Sequence, residues 1–162
     1  MDELDIKVDE RPVIKEALEK SSKEMRPVVA MQLKNGKIIT GKDTKVLTAS
    51  ASCVLNAIKY LAKIKDEIHL LAPIVVNPML KIKSELARND NYLLNLQDVI
   101  IGLSISAATN PTVELALKQL SAIQECDAHA SFFIPQADEQ ILRNLKITIT
   151  TEPDYFTNKL FF

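Results

Sequence analysis

The sequence predicts an α/β fold: a three-layer sandwich in which a mixed sheet of about five strands, opened by an antiparallel hairpin, carries helices on both faces. Three observations lead there. Val28-Val-Ala-Met-Gln-Leu-Lys34 and Lys37-Ile-Ile-Thr40 are strand-like runs separated by Asn35-Gly36, which favours the two-residue type I′ turn of a β-hairpin. Beyond it, segments with apolar residues every three or four positions alternate with short apolar runs, the pattern of helices interleaved with strands. A chain of 162 residues, 47% hydrophobic and 25% charged, has the balance of one globular domain with a single core.

The elements follow in order. Residues 1–11 alternate charged and aliphatic side chains up to Pro12, after which Val13, Ala17, Leu18 and Met25 mark a first helix of about three turns that Pro27 stops. The hairpin comes next. Ala51, Val54, Leu55, Ile58, Leu61 and Ala62 recur at helical spacing behind Thr48, Ser50 and Ser52, giving a core helix with small polar residues at its front. Glu67-Ile-His-Leu-Leu-Ala72 is short and apolar and predicts a strand ended by Pro73. Ile74 to Ala87 predicts a helix with Pro78 near its beginning, and residues 88–91 a loop.

From Leu96, the positions Val99, Ile100, Leu103 and Ala107 step by three and four; the β-branched run Val99-Ile-Ile would also suit a buried strand, but its length favours helix. Asn110-Pro111 starts another helix, with Asn as cap and Pro where no amide donor is needed, and Val113, Ala116, Leu117, Leu120 and Ile123 form its buried stripe. Ala128 to Ile134 predicts a strand closed by Pro135. Asp138 then caps a short helix carrying Ile141, Leu142 and Leu145, and Lys146 to Thr151 alternates as an edge strand. With no repeat or linker, residues 1–162 read as a single domain.

Composition narrows the function classes. Twenty basic and twenty-one acidic residues leave a net charge of -1, so no overall field attracts nucleic acid or an anionic membrane. Lys34, Lys37, Lys42 and Lys45 bracket the hairpin, where lysines keep strand edges from pairing with other chains. Aromatic residues are only 5% and do not interleave with lysines, which weakens any case for single-stranded nucleic acid. The longest apolar run, Val99 to Ala108, is far shorter than the roughly 20 residues of a membrane-spanning helix. The acidic start, Met1-Asp-Glu-Leu-Asp5, is unlike a signal peptide, so a cytoplasmic location is expected. Cys53 and Cys126 are expected to be reduced, buried thiols.

Three groups of residues could carry chemistry. Thr48, Ser50 and Ser52 stand at one helix start, and Ser104, Ser106, Thr109 and Asn110 near the junction of two others. Helix N-termini present free amides and partial positive charge, so these seven residues are candidates for holding a phosphate or carboxylate, although small hydroxyls also serve as caps. Cys126-Asp-Ala-His129 has spacing that could reach one metal, but a zinc site needs at least three ligands and His69 is the only other histidine. No metal or cofactor is expected from these residues. The three glycines, at 36, 41 and 102, are too scattered for a phosphate loop, and no activated serine is visible, so no reaction can be assigned.

Met31-Gln-Leu-Lys-Asn-Gly-Lys-Ile-Ile-Thr-Gly-Lys42, Ala49-Ser50 running into Leu55-Asn-Ala-Ile-Lys59, Asp66-Glu-Ile-His-Leu-Leu-Ala-Pro73, Leu103-Ser-Ile-Ser-Ala-Ala-Thr-Asn-Pro-Thr112 and Thr151-Glu-Pro153 together resemble the C-terminal part of a bacterial family known as domain of unknown function 1846. The resemblance spans the chain from about Arg11 onward. It implies longer relatives with a large N-terminal portion, and a cytidine-deaminase-like topology. In that family glycine usually stands where this chain has Thr48, which tells against close backbone approach of a ligand there. Zinc deaminases place a His or Cys with a Glu at the start of the helix after the hairpin and a Pro-Cys-x-x-Cys at the next. Here those places read Thr48-Ala-Ser-Ala-Ser52 and Pro73-Ile-Val-Val-Asn77, with neither zinc ligand nor glutamate. The expectation is an accessory or assembly domain, packing against the family's N-terminal portion and against copies of itself. Its rival is an anion-binding or enzyme domain built on the two polar helix starts.

Overall fold

The computed structural model describes residues 12–65, 67–86, 93–132 and 134–151. They form α1 (Pro12–Glu24), β1 (Val28–Gln32), β2 (Ile38–Lys42), α2 (Ala49–Leu61), α3 (Pro73–Leu86), α4 (Leu96–Ala107) and α5 (Pro111–Lys118), the last running into a 3-10 turn at Gln119–Ile123; β3 (Asp127–Ala130), α6 (Gln136–Asn144) and β4 (Thr148–Thr151) complete the order. The four strands make one mixed sheet, β2-β1-β3-β4. β1 is antiparallel to both its neighbours, and β3 and β4 run parallel.

Alternation along the strands assigns the two faces. Ala30 of β1 packs with Val13 and Ala17 of α1, whereas Val29 and Met31 join the main core with α2, α4, α5 and α6. Helices therefore cover both faces, α1 alone on one side. β2 meets α2 so closely that a Cβ built on Gly41 would lie 2.1 Å from the Cys53 amide nitrogen. Only glycine fits there.

Several expectations are corrected by the structure. The sheet has four strands among the described residues rather than about five, because Glu67 to Ala72 forms no strand: it passes through bends, with Leu70 buried but Ile68 and His69 exposed. An apolar run without a neighbouring strand to bond to has nothing to hold it extended. The hairpin stands, but its turn is not type I′. Leu33 pairs with Lys37 across a three-residue loop, Gly36 alone takes a positive φ (91°), and Asn35 Oδ1 accepts from the Lys37 amide. That is a type I turn with a glycine bulge.

Helix α3 begins at Pro73 rather than Ile74, which puts Pro78 in its interior. The stripe expected to run to Ile123 tightens into 3-10 geometry after Lys118, and β3 ends at Ala130, where Ser131 Oγ accepts from the Val28 amide at 2.9 Å. β4 starts at Thr148 because Lys146 takes a left-handed φ of 61° after α6, and it lies at the sheet edge as its alternation suggested. Asp138 does not cap its own helix: Pro135 is the cap, and Asp138 sits inside the first turn and serves α4. The expected N-terminal alternation at 1–11 and the loop at 88–91 lie outside the described residues.

Candidate functional site

The polar start of α2 lies beside the start of α4. The Thr48 amide donates to the Leu94 carbonyl at 3.0 Å, the Leu94 amide donates to Val46 at 2.7 Å, and Leu47 and Leu94 form a short parallel bridge. This brings together two helix N-termini, each with unpaired amides and partial positive charge. The chain supplies its own acceptors to both. Asp43 Oδ1 accepts from the Ala49 amide at 2.7 Å and Thr48 Oγ1 from the Ala51 amide at 3.3 Å. At α4, Asn95 and Asp98 form a reciprocal capping box, and Asp138 Oδ1 accepts from the Leu96 amide at 2.7 Å.

Asp138 is fully buried, and its second oxygen, Oδ2, makes no hydrogen bond among the described residues. Burial pushes its carboxyl above the ordinary value, against the Leu96 amide, the Thr48 hydroxyl and the Lys83 charge, which pull it down. Asp43 is raised as well, first by desolvation and then by the negative charge of Asp138, with the Ala49 amide opposing. The junction thus holds two carboxyls that resist ionisation. Lys83 closes it from α3, donating to Asp98 Oδ2 at 2.7 Å and to the Leu93 carbonyl at 2.9 Å.

The seven sequence-derived candidates divide. Thr48, Ser50 and Ser52 sit at this junction, all buried, and the Ser50 and Ser52 hydroxyls have no partner. Ser104, Ser106, Thr109 and Asn110 lie at the other end of α4, about 18 Å away for a helix of 12 residues. There, Ser104 Oγ donates to Ile100, Asn110 Oδ1 caps Thr112, and Thr109 is exposed, while the half-buried Ser106 has no partner for its hydroxyl. The two groups do not share one cleft. Asp43, Asn95 and Asp98 were not singled out by sequence reasoning; Asn95-Leu-Gln-Asp98 was a legible capping-box spacing, whereas Asp43 carries no local signal.

The metal candidates are also placed. Cys126 immediately precedes β3 and His129 lies on it, where His129 Nδ1 is 2.7 Å from Thr150 Oγ1 on the neighbouring strand. Cys53 is enclosed in α2, and burial raises its thiol to about 12, so it stays protonated. Both cysteines are free. Among the described residues, no three His, Cys, Asp or Glu side chains stand close enough to hold a metal. The helix start beside α2 belongs to α4, not to α3, so Pro73 to Asn77 is not the second half of this junction.

The other feature with consequences is apolar surface. Helix α3 buries none of its residues; Ile74 is 82% exposed, Leu86 76% and Ile82 56%. On α4, Ile101 and Ile105 are exposed too. The two helices run antiparallel, with Lys83 at Asp98 and with Val75 and Met79 near Gly102. No helix among the described residues is long and apolar enough to cross a membrane.

Among the described residues this is an α/β domain with a mixed four-stranded sheet, helix starts capped by its own carboxylates and an outer helix that buries none of its residues. The family model described as "Domain of unknown function DUF1846, C-terminal" matches residues 9–161, and the chain belongs to that family. It is 40% identical to a UPF0371 protein of Clostridium botulinum (strain Eklund 17B), 38% to one of Clostridium tetani and 36% to one of Clostridioides difficile (strain 630). Each similarity covers 100% of this chain and 34% of the relative, so the chain spans about a third of the length of the relatives it matches.

Proposed function

We propose that this domain is an accessory and assembly module, whose outer apolar face on α3 and α4 packs against the remaining two-thirds of a longer protein of the family. One observation carries this reading: α3 is an amphipathic helix that buries no residue, while exposing Ile74, Ile82 and Leu86. Large apolar side chains grouped on one helix mark an interaction surface more often than chance exposure does. The share of the relatives that the chain covers supplies a partner of sufficient size. Self-association through the same face is the second form of this reading.

The rival anion-binding reading is disfavoured by the capping. A phosphate arriving at either helix start would find the first amide already bonded to Asp43 or Asp138, so the donors it needs there are taken. A deaminase-like topology remains part of the proposal. The hairpin running into α2 and the parallel β3-α6-β4 unit support it, although the described residues between α2 and α3 form no strand.

The test is to mix the chain with the part of the Clostridium botulinum relative that it does not match and measure mass by sedimentation. A complex that Ile74→Ser with Ile82→Ser abolishes is expected. No complex, together with a chain that is monomeric on its own, overturns the reading.

A further inference from the structure

The sheet has two outer strands, and the chain treats them differently. β2 has Lys37 just before it and Lys42 as its last residue, charges of the kind that keep an exposed strand from pairing with another chain. β4, Thr148-Ile-Thr-Thr151, carries no charge and no proline, and among the described residues it has a strand, β3, on one side alone.

The backbone of β4 is half used. The Thr148 amide donates to the Cys126 carbonyl at 3.0 Å, and successive residues of a strand turn their N–H and C=O groups to opposite sides. Thr148 and Thr150 therefore face β3, while Ile149 and Thr151 direct their amides and carbonyls out of the sheet. Beside that edge a groove of about 390 Å³ lies between β4 and α6, lined by Ile134 and Ile149 together with the Glu139–Arg143 ion pair. An open strand edge next to such a groove suits the uptake of an extended segment, with backbone bonds giving affinity and the groove receiving alternate side chains.

Pairing over four residues is too small a contact to hold two free copies of this chain together, since stable interfaces remove roughly 1,200 Å² or more from water. A segment of the same polypeptide needs far less contact, because tethering raises its effective concentration to millimolar order. In the relatives, about two-thirds of the polypeptide lies outside the region that this chain matches. We propose that the outer edge of β4 receives an extended segment from that unmatched portion, which adds to the sheet as a fifth strand and sets an apolar side chain against Ile134 and Ile149. The inference rests on the assembly reading for its partner but not for its surface, which lies on β4 and α6 rather than on α3 and α4.

Amide hydrogen exchange separates the two surfaces. With the unmatched portion of the Clostridium botulinum relative in excess, the Ile149 and Thr151 amides of the 162-residue chain slow at least about tenfold. Thr151→Pro, at an exposed position, removes one outward donor without breaking a bond to β3, and it weakens the complex at least about fivefold; Thr151→Ala keeps the donor and leaves the affinity unchanged. Slowing in α3 with no change at Ile149 and Thr151 overturns the strand addition and spares the assembly face. Slowing at Ile149 and Thr151 with no change in α3 supports the strand addition and overturns the face. If the portion does not bind when added separately, the full-length relative decides: slow exchange at the two aligned amides supports the inference, and fast exchange overturns it. Slow exchange at Ile149 and Thr151 before any addition, which would mean that the edge is already filled, or equal affinity of Thr151→Pro and the parent would also overturn it.

Discussion

Helices α2 and α3 are nearly equal in length, 13 and 14 residues, but differ in what surrounds them. α2 buries nine residues between the sheet and α4 and α5, and Gly41 lets it approach β2 backbone to backbone. α3 buries none; the Lys83–Asp98 ion pair and the contacts of Val75 and Met79 near Gly102 hold it to α4. Pro78 removes one of its internal donors as well. In α2 the fold is complete within the chain. In α3, Val76, Met79 and Leu80 pack against the main core while Ile74, Ile82 and Leu86 stay in water, so α3 draws less of its stability from packing within the chain than α2 does.

The largest effect expected from breaking this contrast is at Gly41. Gly41→Ala forces a Cβ into the Cys53 backbone, and backbone on both sides leaves no flexible side chain to yield. Loss of more than about 4 kcal/mol, seen as an unfolded circular dichroism spectrum at room temperature, is expected. Ile58→Ala, within the buried face of α2, should cost about 2–5 kcal/mol by denaturant titration. The matching changes on α3, Ile74→Ser or Ile82→Ser, should stay within about 0.5 kcal/mol in the chain alone. A large loss there would mean that α3 is part of the core.

The α2–α4 junction sharpens the contrast through pH. Asp43 and Asp138 both lie above the ordinary carboxyl value of 3.8 in the folded chain. The folded state therefore holds protons that the unfolded state has released, and stability falls as pH rises from about 4 through the raised values. Asp138→Asn keeps an acceptor for the Leu96 amide without a buried charge. Its stability relative to the parent should be highest at neutral pH and should decline as the pH is lowered through that window; a flat difference between pH 4 and 7 would contradict the burial argument.

How much of this was legible follows from the range of each signal. The hairpin, α2, α4 and the Asn110-Pro111 start rest on adjacent residues, and each stands in the structure. The turn type was misread because Asn35-Gly36 specifies a bend, whereas the pairing of Leu33 with Lys37 decides how many residues the loop contains. Glu67 to Ala72 failed as a strand for want of a neighbour, which apolar content alone cannot supply. Asp138 was misplaced because its bond to Leu96 joins residues 42 apart. Local sequence leaves open whether the polar residues at 104–110 join those at 48–52, and the length of α4 keeps them apart.

Amide hydrogen exchange on α3 tests the central claim most directly. In the chain alone, α3 amides should exchange much faster than those of α2, and adding the unmatched portion of the Clostridium botulinum relative should slow α3 while leaving α2 unchanged. Exchange in α3 as slow as in α2 before any addition, or unaltered by a saturating excess of that portion, would contradict the account.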